Sequence, residues 1–184
     1  MKKLMCACLA SLCLSCAGTS GDKKDMTYPI QFIILENVDF TGNEQWTTRY
    51  IEDVLDWIES YTDVEFTANV LTINSTIYGK PQKEVFEYAQ QWKQVGVITV
   101  VVSGPSLDSV GISNVSNTNL APLIVIRERH ENNSLETAWI ILHELGHNIL
   151  GLRHSDVNPD LNADNWYELD QGVVMFKDRL EEIY

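Results

Sequence analysis

Hydrophobic positions change their period along the chain, and each change marks an element. Residues 30–35, IQFIIL, form a short Ile-rich run of the kind a buried strand needs. Beyond it Trp46, Tyr50, Ile51, Val54, Leu55 and Ile58 recur at helical intervals, and Thr41 with Glu44 has capping-box spacing for the start of that helix. Glu52, Asp53, Asp56 and Glu59 fall on the opposite, solvated face. Val64, Phe66, Ala68 and Val70 then alternate as in a half-buried strand, and Leu71 with Ile73 implies a bulge or a shift of face. Pro81 opens a second helical stretch that carries Val85, Phe86, Ala89 and Trp92 on one side and ends by Gly96. Residues 97–102, VITVVV, read as a strand buried on both faces. A Gly, Ser and Asn-rich connection over 103–119 leads to another strand at 123–126. This order of elements predicts an α/β (α+β) fold with a mixed, twisted sheet and two packed helices.

Length and composition narrow the picture. A chain of 184 residues, 45% apolar, suits one domain with a real core and excludes disorder throughout. With 26 acidic against 13 basic side chains the formal net charge is -13, so a sequence-independent grip on nucleic acid or on anionic lipid is excluded.

The cysteines are informative by position. Cys6, Cys8, Cys13 and Cys16 all lie in the first sixteen residues, so the remainder has no disulfide, no thiolate metal site and no thiol nucleophile. Lys2 and Lys3, an apolar run over 4–14 and small residues at 15–18 make a signal-peptide pattern, too short to span a bilayer. Cys13-Leu14-Ser15-Cys16 resembles a bacterial lipobox, which implies lipidation of Cys16 after cleavage; a soluble export signal cut after Ala17 is the alternative. The expected organisation is a signal peptide over 1–16, a flexible tether over 17–27 and one domain over 28–184. The domain is expected to work as a monomer in the cell envelope, touching the membrane only through Cys16.

Candidate chemistry lies in one helix. Asn133 and Glu136 have N-cap spacing, and 135–150 is helical in pattern until Gly151 can end it. Within it stands His143-Glu144-Leu145-Gly146-His147. Side chains four apart on a helix lie one turn above each other, so His143 and His147 can face a single ion. Glu144 projects beside them, where a carboxylate can take a proton from water without becoming a ligand. A catalytic zinc site wants three protein ligands and one open position. His154 is the candidate for the third, while His130, in a charged stretch, reads as a surface residue.

The run HELGHNILGLRHSD resembles the signature of the metzincin zinc peptidases, in which a glycine after two helical histidines turns the chain so that a third completes the site. The likeness implies Zn2+ held by His143, His147 and His154, with Glu144 as the catalytic residue. It also implies a methionine turn beneath the ligands, matched by Val173-Val174-Met175-Phe176, and a closing helix over 176–184. Ser155 is similar to the matrixin branch, whereas Asn165-Trp166-Tyr167-Glu168-Leu169-Asp170 faintly resembles the ligand helix of the gluzincins, which implies Glu168 as the rival of His154 for third ligand. One departure bears on the site. Gly151 and His154 each come one residue later than the family pattern, and an extra helical residue adds about 1.5 Å and 100°. The Gly-x-x-His spacing is intact, so the turn is expected to move as a unit. Lys177 stands where some branches have a ligating tyrosine, so no fifth ligand is expected.

The function implied is that of a zinc endopeptidase acting on a peptide or protein substrate. Residues 111–120 are the expected rim along which an extended peptide pairs, and 156–174 the expected wall of the pocket beyond the scissile bond. The alternatives are a surface-anchored, zinc-containing binding module without activity, and a structural zinc with Asp156 or Asp160 as a fourth ligand.

Overall fold

The structure, a computed structural model, describes residues 27–36, 46–104, 107, 109–113, 120–127, 133–154 and 161–184. The expected signal peptide, nearly all of the tether, and Thr41, Glu44, His130, Ser155, Asp156 and Asp160 lie outside the described residues. In chain order the elements are β1 (Tyr28–Glu36), α1 (Thr48–Thr62), β2 (Phe66–Asn74), α2 (Gln82–Ala89), β3 (Ile98–Ser103), β4 (Gly111–Ser113), β5 (Leu123–Arg127), α3 (Ser134–Asn148) and α4 (Asp170–Ile183). Short 3-10 turns follow α2 at Gln90–Trp92 and precede α4 at Trp166–Glu168.

The five strands form one sheet in the order β2-β1-β3-β5-β4, parallel except for β4, which runs antiparallel to β5 at the edge. The fold is thus α/β with a mostly parallel sheet, as the alternation of strand and helix patterns implies. From β1 the chain crosses to β2 in one direction along the sheet, then returns past β1 to β3 in the other. Right-handed crossovers that reverse direction put their helices on opposite faces. The core accordingly divides. On one face Ile30, Phe32, Ile34, Val100, Val102 and Ile124 pack against α1, α3 and α4. On the other, Ile33, Leu35, Val101 and Val125 pack against Val85 and Ala89 of α2. A strand covered on both faces needs apolar residues at nearly every position, which is why β5 opens as a Leu-Ile-Val-Ile run and β3 is Ile and Val apart from its last residue, Ser103, and Thr99, whose hydroxyl accepts from Gln31.

Several local expectations are corrected. Helix α1 starts at Thr48, capped by Thr47, whose hydroxyl accepts from the Tyr50 amide at 3.2 Å, so the N-terminal signal is Thr47 rather than Thr41. Strand β2 carries no bulge, but the alternative, a shift of face, is present: Phe66 and Val70 pack against the larger core and Ile73 against the smaller one. The strand pairs with β1 in unbroken register from Tyr28 with Phe66 to Glu36 with Asn74, and Leu71 is exposed because this edge strand is covered on few of its positions. The last helix begins at Asp170, six residues before the expected start, because Gly172, Phe176, Leu180 and Ile183 form its buried stripe. The expected methionine turn therefore does not exist. Met175 lies within α4, off that stripe, and borders a surface depression with Ile149, Leu150 and Arg179. Among the described residues no helix is long and apolar enough to cross a membrane.

Candidate metal centre

Helix α3 is the frame of the site. Asn133 caps it, its side chain accepting from the Glu136 amide at 3.1 Å. Ala138, Ile141, Leu142 and Leu145 then sink it into the larger core. A helix so deeply set carries its polar residues into low dielectric, and each needs a partner. Asn148 donates to the Leu123 carbonyl at 2.9 Å. His147 holds the Leu152 carbonyl at 2.7 Å through Nδ1, and since a carbonyl only accepts, the proton sits on Nδ1 and the Nε2 lone pair is left free.

The end of α3 shows where the additional residue goes. Ile149 makes the last helical bond, to Leu145 at 2.8 Å, and Gly151 adopts φ +68°. A Schellman turn closes with an amide five residues beyond its carbonyl. Here the Leu152 amide reaches the Gly146 carbonyl, six residues back, at 3.0 Å. The widened loop absorbs one residue while both of its ends stay hydrogen-bonded, and His154 comes back over the helix.

His143, His147 and His154 each bring a ligand nitrogen to within 4.8 Å of the others. Their ring centroids are 4.7, 4.8 and 4.8 Å apart, and the Nε2 atoms of His143 and His147 are separated by 3.1 Å. On the outer side, Nδ1 of His143 is 2.9 Å from Oδ1 of Asp164, and Nδ1 of His154 is 3.6 Å from the other oxygen of the same carboxylate. Burial, with the neighbouring His147, holds the His143 imidazole below its ordinary pKa, and Asp164 opposes this. A metal site requires three ring nitrogens that can reach one point, so the three histidines fit and can hold a metal ion.

Glu144 does not join the cluster of donors. It is 5% exposed, and its Oε2 accepts from the Ser113 hydroxyl at 2.7 Å. Burial raises its pKa, while the Ser113 hydrogen bond and then His147 and His154 work against the rise. Strand β4 passes so close that a Cβ on Gly111 would lie 2.7 Å from Glu144 Oε1, and glycine there makes the approach feasible. Between β4 and α3 opens a cleft of about 700 Å³, walled by residues 109–113 on one side, Trp139 and Ile140 below, and Asp164 and Tyr167 at the far end.

The four residues singled out from the sequence, His143, Glu144, His147 and His154, thus line one cleft. Glu168, the rival ligand, is exposed and borders a different depression with Tyr61 and Val173. Three residues of the site were not singled out individually, although Ser113 falls in the expected rim over 111–120 and Asp164 and Trp166 in the expected wall over 156–174. Ser113 and Asp164 are partners of Glu144 and of the histidines. Trp166 braces α3 from below, its indole fully buried against Gly146 and donating to the Leu142 carbonyl at 2.8 Å. A lone tryptophan in a polar stretch, 162–170, was the available signal for it.

The chain matches no family model, and no curated protein matches it significantly.

Proposed function

We propose that the protein is an exported zinc-dependent endopeptidase of metzincin-like design, with His143, His147 and His154 as metal ligands and Glu144 as the general base. The observation that carries this reading is the company the three histidines keep: a buried carboxylate one residue from His143, in a cleft flanked by an antiparallel strand that is the sheet's edge among the described residues. Three imidazole nitrogens suit zinc among the borderline divalent ions. Zinc bound there supplies Lewis acidity, polarising a scissile carbonyl and lowering the pKa of coordinated water to about 7.

The chain's own groups do the rest. An extended peptide adds to β4 by main-chain hydrogen bonds, which sets its backbone over the histidines. Glu144 takes the proton from the attacking water and passes it to the leaving amine. Its burial favours the first transfer, because a carboxylate with a raised pKa is a stronger base. Ser113 keeps the carboxylate aimed into the cleft between the two transfers. Trp139, Ile140 and Tyr167 give that cleft a largely apolar wall for a substrate side chain.

The test is a mass-spectrometric digest of a complex peptide mixture by the zinc-loaded protein, beside Glu144→Ala. Cleavage by the first and none by the second is the expected result, with metal content unchanged. Zinc retention without cleavage by either protein would replace the peptidase with a binding module.

A further inference from the structure

We infer that Asp164 is the positioning residue of the centre: a single carboxylate that orients His143 from the helix and His154 from the turn. This rests on the metal-centre reading above. The three ligands are held very differently. His143 and His147 are fixed to a core helix, and the Leu152 carbonyl sets the ring of His147. The His154 side chain is 67% exposed, at the end of a loop that contains one residue more than a Schellman turn. Its position needs a restraint from elsewhere, and Asp164 meets its Nδ1 at charge-pair distance while binding Nδ1 of His143 at 2.9 Å.

Asp164 is itself pinned. Its amide donates to Asn162 Oδ1 at 2.7 Å, and the Asn162 amide donates to Asn165 Oδ1 at 3.0 Å. The Trp166 amide closes on the Asn162 carbonyl at 3.1 Å, tying this turn to the most deeply buried indole of the protein. On its other side the Ala163 amide points at the carbonyl of Arg153, the neighbour of His154, at 3.5 Å. The backbone of Asp164 is therefore fixed, and its carboxylate, 60% exposed, needs only one side-chain setting to meet both histidines. An ionised carboxylate only accepts, so it fixes the proton of His143 on Nδ1 and leaves Nε2 as the ligand atom. It approaches the rings from the Nδ1 side, away from the 3.1 Å meeting of the Nε2 atoms of His143 and His147, which makes it a partner of the ligands and not a fourth ligand. Outer-shell partners of this type are commonly worth about 10- to 100-fold in metal affinity.

The experiment measures zinc affinity by chelator competition for the full chain, Asp164→Asn, Asp164→Ala and His143→Ala. Apo melting temperatures and histidine ¹⁵N spectra are recorded in parallel. Expected are a loss of about 10- to 100-fold for Asp164→Ala, a smaller loss for Asp164→Asn, which keeps an acceptor but no charge, and nearly unchanged apo melting. The His143 resonances should move from the Nδ1–H tautomer in the parent to a mixture in Asp164→Ala. Affinities of both Asp164 variants within twofold of the parent overturn the inference and leave the peptidase reading standing. So does a loss of affinity accompanied by an equal loss of apo stability and unchanged tautomers, since Asp164 would then only hold its own turn. A parent that binds zinc no better than His143→Ala overturns the centre and the inference together.

Discussion

Replacing Gly146 by alanine sets two well-defined effects against each other at the back of the site. In an isolated helix the change is favourable, because glycine costs about 0.8–1 kcal/mol relative to alanine. Here a Cβ would fall 2.7 Å from both Cδ1 and Nε1 of Trp166, where 3.4–4 Å is ordinary contact. The indole has nowhere to go. It is fully buried, its Nε1 is committed to the Leu142 carbonyl at 2.8 Å, and its own carbonyl is pressed so closely on Gly172 of α4 that a Cβ there would lie 2.0 Å away. Overpacking of this kind costs about 1–3 kcal/mol, and loosening the indole hydrogen bond about 0.5–1.5 more. Subtracting the gain in helix propensity leaves a net loss of roughly 0.5–3.5 kcal/mol, centred near 2. For a domain of this size that central value lowers Tm by about 4–8 °C. Thermal unfolding of the metal-free protein by circular dichroism measures it. Zinc affinity should fall as well, because Gly146 lies between the two ligands of the helix. A melting temperature at or above that of the parent would refute the bracing role of Trp166.

Ser113→Ala removes the hydrogen bond that holds the Glu144 pKa down against burial, so the ionised base is harder to form and the acidic limb of the pH–rate profile moves to higher pH. Catalytic efficiency should drop roughly tenfold or more, as for loss of a hydrogen bond to a charged group, with zinc affinity unchanged; steady-state profiles of the two proteins decide it. Gly151→Ala forces a side chain into φ +68°, at about 1–2 kcal/mol, and shifts the loop that carries His154. Stability and metal affinity should both fall, read by thermal melting and chelator competition. Lys177 on α4 holds Asp63, the left-handed cap of α1, at 2.7 Å and keeps its carboxyl below the ordinary value by hydrogen bond and charge. A depressed carboxyl stabilises above its unfolded pKa and loses that contribution as pH falls through the folded one. The melting difference between the parent and Lys177→Ala should therefore be small at neutral pH, shrink with added salt and vanish well below pH 3.8.

Part of this fold was legible because covering a sheet on two faces and a helix on one leaves different periods in the chain. The buried runs of β1, β3 and β5 and the amphipathic stripe of α1 were of that kind. What failed was what depends on packing rather than period. Thr41 with Glu44 had the spacing of a cap, whereas the helix starts later, capped by Thr47, whose hydroxyl accepts from the Tyr50 amide. Three-residue β4 has no period to detect, and it exists because β5 offers it an edge and Gly111 lets it approach Glu144. Met175 matched a motif by its neighbours in sequence, but the stripe through Gly172, Phe176 and Leu180 outweighed it and wound the segment into α4. The site divides in the same way. His143, Glu144 and His147 were readable because helical spacing is proximity, whereas Ser113 on β4, and Asp164 and Trp166 on the turn before α4, reach the site from two other segments.

The spacing of the histidine loop also shows which side of its glycine can absorb length. Upstream of Gly151, the chain from Gly146 to Leu152 is closed by one amide–carbonyl bond, and an added residue only widens the ring that the bond closes. Downstream, the three steps from Gly151 to His154 are the lever that places an imidazole, and an added residue there would displace it by about one strand step, some 3.3 Å. With the nitrogens of all three histidines within 4.8 Å of one another, a displacement of that size would remove the third donor. Added length is thus tolerable between His147 and Gly151 and ruinous between Gly151 and His154, and the spacing by which this chain departs from the signature it resembles is the tolerant one. The wider turn still leaves its histidine on the surface, where packing cannot hold it. That residual freedom is what the shared carboxylate of Asp164, anchored through Trp166 to the same helix, is placed to remove.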